Sequence, residues 1–84
     1  MSPPVRILYF AALRDLSGCA EEQIVLPEGV RTVADLLAHL AEQRPGIAAR
    51  LGATRVALDE AFADPDALVA GATVIALIPP VSGG

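Results

Sequence analysis

The run Thr73-Val74-Ile75-Ala76-Leu77-Ile78 carries no polar residue after its first position. A strand with one wet face alternates apolar and polar residues. One that does not alternate belongs at the centre of a sheet, buried on both faces. Near the other end, Val5-Arg6-Ile7-Leu8-Tyr9-Phe10 is a second β-branched and aromatic run. The two are predicted to lie side by side at the sheet centre. At 84 residues the chain has room for one domain. A chain this short buries only about 60% of the surface that its unfolded form exposes.

The intervening elements are short. Ala11–Leu16 holds good helix formers and predicts a helical turn closed by Gly18. Glu22–Leu26 reads as a strand stopped by Pro27-Glu28-Gly29, antiparallel to the first. Thr32–Arg44 is the clearest helix, with Thr32 as N-cap and Asp35 completing a capping box. Val33, Leu36, Leu37 and Leu40 form its apolar stripe, and Arg44 continues the same line. Pro45-Gly46 breaks this helix, and Ile47–Leu51 offers a further turn. Arg55–Asp59 and Ala61–Ala63 read as strands joined by a turn at Asp59-Glu60. The order β, β, α, β, β with one main helix on one face of a mixed sheet is an α+β, β-grasp (ubiquitin-like) arrangement. Residues 1–78 form the domain and 79–84 an extended tail.

Several function classes are excluded or disfavoured. The net charge is −4, so no basic surface is available to displace counterions from nucleic acid. A basic protein partner is the better match. No segment reaches the roughly 18–20 apolar residues of a membrane span, and Met1-Ser2-Pro3-Pro4 does not open a signal peptide. The expected location is the cytoplasm. Hydrophobic residues make up 54% of the chain, which points to an apolar surface kept for a partner. Cys19 is the lone cysteine, which excludes an internal disulfide and a multi-cysteine zinc site; it reads as a partly buried filler. His39 stands alone at a helix edge with no second ligand at metal spacing. All six basic residues are Arg, so no ε-amine exists to attack an activated acyl group.

The sequence ends Pro79-Pro80-Val81-Ser82-Gly83-Gly84. Prolines favour an extended chain, and paired glycines impose almost no steric limit on close approach. The tail therefore reads as a segment handled by another protein's narrow active site. From Pro79 to Gly84 it reaches roughly 20 Å at about 3.3–3.6 Å per residue.

Three segments together resemble the small, sulfur-carrier subunits of molybdopterin synthase, a ubiquitin-like β-grasp family. They are Tyr9-Phe10-Ala11-Ala12-Leu13-Arg14-Asp15-Leu16-Ser17-Gly18, Val56-Ala57-Leu58-Asp59-Glu60 and the terminal Ala76–Gly84. The family's usual Asn is replaced by Asp59, and its Gly-Asp-Glu before the last strand by Gly71-Ala72-Thr73. Both departures fall in turns.

The resemblance implies a chemistry for the tail. A carboxylate is a poor electrophile, so an ATP-dependent adenylyltransferase converts that of Gly84 into an acyl-adenylate. A sulfur donor displaces AMP and leaves a C-terminal thiocarboxylate, a nucleophilic sulfur ionised near neutral pH. The tail then inserts into the large synthase subunit, within a heterotetramer, and the sulfur attacks cyclic pyranopterin monophosphate. Two such transfers make the dithiolene of molybdopterin, in molybdenum cofactor biosynthesis. Pro79, Pro80, Val81, Ser82 and Gly83 are the expected insertion residues. Phe10, Leu77 and Ile78 are candidates for docking on the partner. No cofactor or metal is bound by the chain itself. The rival readings are a sulfur carrier for thiamine synthesis or tRNA thiolation, a protein modifier, and a plain interaction module.

Overall fold

Ile7 faces Ile75 and Tyr9 faces Leu77 in a parallel pair between strand β1 (Val5–Tyr9) and strand β5 (Val74–Ile78), so the two apolar runs are direct neighbours. A computed structural model describes residues 3–80. Between these strands lie α1 (Ala12–Ser17), β2 (Glu21–Ile24), α2 (Val33–Gln43), α3 (Pro45–Leu51), β3 (Arg55–Leu58) and β4 (Ala61–Ala63). The sheet order is β2-β1-β5-β3-β4, with every pairing antiparallel except the central one. This is the β-grasp arrangement expected from the sequence.

The pleat sorts the side chains. Val5, Ile7, Tyr9, Val56, Ile75 and Leu77 point to one face and are buried. They form a single core with Leu13 of α1, Val33, Leu36 and Leu40 of α2, and Ile47 and Leu51 of α3. Each fully buried Leu or Ile contributes about 1.5–3 kcal/mol of burial. Only one face of the sheet is covered in this way. Val74, Ala76 and Ile78 point to the other face and are half-buried. The expectation that β5 is enclosed on both faces is corrected: it is central, but its second apolar face has no layer over it.

Local signals account for most boundaries. The Thr32 hydroxyl accepts from Asp35 N–H at 3.2 Å, while the Asp35 carboxylate accepts from Thr32 N–H at 3.1 Å, a full capping box. The next free donors of α2 are met by the following loop, as Val33 N–H reaches Ala67 O and Ala34 N–H reaches Pro65 O. Leu37, at the stripe's edge, is half-buried. Pro45 ends α2 but opens α3, because the first helical position needs no N–H from it. Gly18 adopts φ +81° and closes α1.

The β3–β4 hairpin turns through Asp59 (φ 47°) and Glu60 (φ 75°), both left-handed as a two-residue hairpin turn requires. The Asp59 carboxylate also accepts from Thr73 N–H at 3.0 Å and Val74 N–H at 2.9 Å, holding the first residues of β5. An Asn side-chain oxygen could accept the same bonds.

Two outcomes follow for stability. Asp59→Ala loses both side-chain bonds and leaves a methyl in the left-handed region, so urea unfolding should show a loss of about 1–3 kcal/mol, whereas Asp59→Asn should stay near wild type. The backbone N–H groups of Arg31 and Thr32 hold the Asp35 carboxyl below its ordinary 3.8. Its contribution is therefore fully present above 3.8 and is lost as pH falls through the depressed native value. An acid titration of Asp35→Asn, followed by circular dichroism, should show a shallower fall in stability below pH 3.8 than wild type.

Candidate functional site

The chain leaves the sheet at one defined point. Ile78 pairs with Arg55 of β3, and Phe10 N–H donates to Leu77 O at 3.3 Å. The next residue, Pro79, has no N–H and ends the ladder. Pro79 is buried and Pro80 exposed. Pro79 is thus removed from the insertion residues, since its ring is packed into the body, and Pro80 is the last residue the structure describes. Both prolines line a cleft with Ala11, Ala12, Ala49, Arg50 and Ala53. Val81, Ser82, Gly83 and Gly84, the remaining tail candidates, lie outside the described residues.

Beside this exit lies the uncovered face of the sheet. Leu8, Phe10, Ala57, Phe62, Val74, Ala76 and Ile78 line a shallow apolar depression there, with Asp59 and Glu60 at its rim. Phe10 is 45% exposed and Phe62 59% exposed, large values for aromatic side chains in a chain with so little surface to spare. Arg55 lays its guanidinium 4.1 Å from the Phe62 ring centroid. On the β2 side Arg6 and Glu21 form an exposed ion pair at 2.7 Å. Among the docking candidates, Phe10 and Ile78 lie on this face. Leu77 does not: it is fully buried on the opposite face, and its docking role is withdrawn. Phe62 is absent from the sequence-based candidates. Its signal was the hairpin register, which sets Phe62 opposite Ala57 and so on the same face as Ala76.

A polar cluster closes the β1–β2 edge of the core. Tyr9 Oη donates to Glu22 Oε2 at 2.9 Å, and Arg44 Nε donates to the same oxygen at 2.7 Å. Arg44 also donates through Nη1 to Ser17 O at 2.9 Å, tying the end of α2 to the end of α1. Arg44 therefore continues the helix stripe with a charge, and Glu22 answers it. Cys19 is half-buried with Sγ 3.8 Å from Glu22 Oε2, as a filler of this cluster. His39 is half-buried on α2.

The ThiS family model matches residues 7–84, nearly the whole chain. The chain belongs to the ThiS family. A molybdopterin synthase sulfur carrier subunit from Mycosarcoma maydis is 36% identical over 99% of this chain and 96% of its own length. Among solved structures, SAMP1 from Haloferax volcanii superposes with TM-score 0.80 at 26% identity, covering 98% of this chain and all of its own. A putative molybdopterin converting factor, subunit 1, from Pyrococcus furiosus gives TM-score 0.79 at 28% identity, over 95% of this chain and all of its own. The ThiS-family match runs through the tail and the strands of the open face alike.

The polar cluster makes a spectroscopic prediction. Burial first, then the hydrogen bond to Glu22 and its charge, push the Tyr9 phenol well above its ordinary 10.0. That contribution is fully present below pH 10.0 and is lost as pH rises through the raised native value. Tyr9 is the single tyrosine of the chain. Tyrosinate absorbance should therefore stay flat past pH 10.0 and emerge only together with loss of near-ultraviolet dichroism. Tyrosinate forming near pH 10.0 in the folded protein would contradict the cluster.

Proposed function

We propose that this chain is the sulfur-carrier subunit of a molybdopterin synthase, acting in the cytoplasm with a separate large subunit. The observation that carries the reading is the near full-length similarity to a protein of that name, at 36% identity. The geometry supports it. The exit of the tail and the open apolar face lie side by side, so one partner can hold the face and receive the tail.

The reaction begins at Gly84. An activating enzyme transfers AMP from ATP to the carboxylate and releases pyrophosphate. A sulfur donor attacks the acyl carbon and expels AMP, which leaves a thiocarboxylate. In the large subunit's pocket the sulfur attacks a carbon of the pterin precursor and displaces an oxygen leaving group from it; water then cleaves the acyl–sulfur bond, which leaves the sulfur on the pterin and restores the carboxylate. The carrier supplies the nucleophile, the reach and the docking face. From Pro80 to Gly84 the reach is roughly 17–18 Å, five residues at about 3.3–3.6 Å each. Phe10, Phe62 and Ile78 dock on the large subunit and Arg55 meets an acceptor at its rim. No helix among the described residues is long and apolar enough to cross a membrane.

Intact mass spectrometry tests the reading. With ATP, the activating enzyme and a sulfur donor, the chain should exchange one C-terminal oxygen for sulfur. Adding the large subunit and cyclic pyranopterin monophosphate should then discharge the sulfur. Charging without discharge would favour a carrier for another pathway, and no charging would sink the carrier reading. Ile78→Asp should leave the fold intact, because the side chain faces outward, and should weaken discharge about tenfold or more through lost docking.

A further inference from the structure

We propose that Ala11 is a positioning residue for sulfur transfer, the strained turn it holds fixing the direction in which the chain leaves the body at Pro80. The inference rests on the carrier reading above and deepens it. Ala11 has φ 50° and ψ −127°. Leu13 N–H donates to Phe10 O at 3.0 Å, which closes a tight turn with Ala11 at its first central position. That combination is the type II′ turn, whose first central residue is normally Gly. An L-residue held there is strained, and it persists only where the surroundings over-determine it.

The turn is fixed to the root of the tail. Phe10 gives its carbonyl to the turn and its N–H to Leu77 O, the last backbone bond from β1 to β5 before Pro79. Ala11, which is exposed, and the half-buried Ala12 line the same cleft as Pro79 and Pro80. Neither proline carries an N–H, so packing rather than ladder bonds sets the course of the chain here. A glycine at position 11 would relieve the strain but free the turn, because it lacks the Cβ that restricts the backbone there. Stability and delivery should therefore move in opposite directions, which a residue with a purely structural role would not produce.

The test uses full-length carrier made directly as the C-terminal thiocarboxylate, so that activation is bypassed. Wild type, Ala11→Gly and Ala11→Ser are each mixed with the large subunit and the pterin precursor in single turnover. Ala11→Gly should raise Tm by about 3–6 °C. It should lower the saturating transfer rate about tenfold, the scale expected of a misdirected reactant. Half-saturation for the large subunit should change less than about twofold, since Phe10, Phe62 and Ile78 are untouched. Ala11→Ser keeps a Cβ and should transfer at nearly the wild-type rate. An Ala11→Gly rate equal to wild type, or a lowered Tm, overturns the positioning role while leaving the carrier reading in place. Failure of wild-type thiocarboxylate to discharge overturns both.

Discussion

The parallel pairing of β1 with β5 is the constraint on which the rest of this molecule depends. Parallel neighbours cannot be joined by a tight turn, so the intervening chain must cross over the sheet. In a domain this small the crossing material can cover only one face. The helices take that face, through the stripe Val33, Leu36 and Leu40 and the added anchors Ile47 and Leu51. The second face is left to solvent or to a partner. The same pairing places the end of β5, and hence the start of the tail, in the middle of the sheet rather than at its edge. An uncovered apolar face beside a central exit is thus a consequence of the topology.

Much of this was legible in the sequence because the signals were local. The capping box at Thr32 and Asp35, the glycine closing α1, and the Asp59-Glu60 hairpin depend on residues a few positions apart. The two strongly apolar runs identified the central pair directly, by the continuity of their apolar character. What failed was long-range. An uninterrupted apolar strand looks the same whether its second face is covered by helices within the chain or by another protein. Leu77 and Ile78 differ by one position and face opposite ways, and only the register against Val56 and Arg55 separates the core residue from the exposed one. The burial of Pro79 depends on α1 and α3 meeting beside it, and no pattern around residue 79 encodes that.

The Tyr9–Glu22–Arg44 cluster was hidden for a related reason. Arg44 falls in line with the apolar stripe of α2, and Glu22 occupies a strand position facing the core side opposite Ile7. Each alone resembles a fault in the pattern. Together they satisfy one another and the Tyr9 hydroxyl, so the half-open edge of the core is closed without an unpaired charge, as burial requires. Among the described residues no buried side-chain nitrogen or oxygen lacks a partner. The cluster also joins the ends of α1 and α2 through Ser17 O, which steadies the helix leading away from the Ala11 turn.

Strand β5 is held at both ends by groups outside its regular ladder. Asp59 grips Thr73 and Val74 at its start, and Phe10 holds Leu77 near its finish. A carrier that docks by one face and reacts by its tail needs this. A partner docked as proposed would sense the positions of Phe10, Phe62 and Ile78, while the proposed chemistry lies several residues further on. Any rotation of β5 relative to the face would become an error in where the tail arrives, and an error near 1 Å can cost about a hundredfold in rate. The Asp59 carboxylate accepts two backbone hydrogens that an Asn side-chain oxygen could equally accept. On the proposed function, the grip on β5 rather than the identity of the turn residue is what transfer would require.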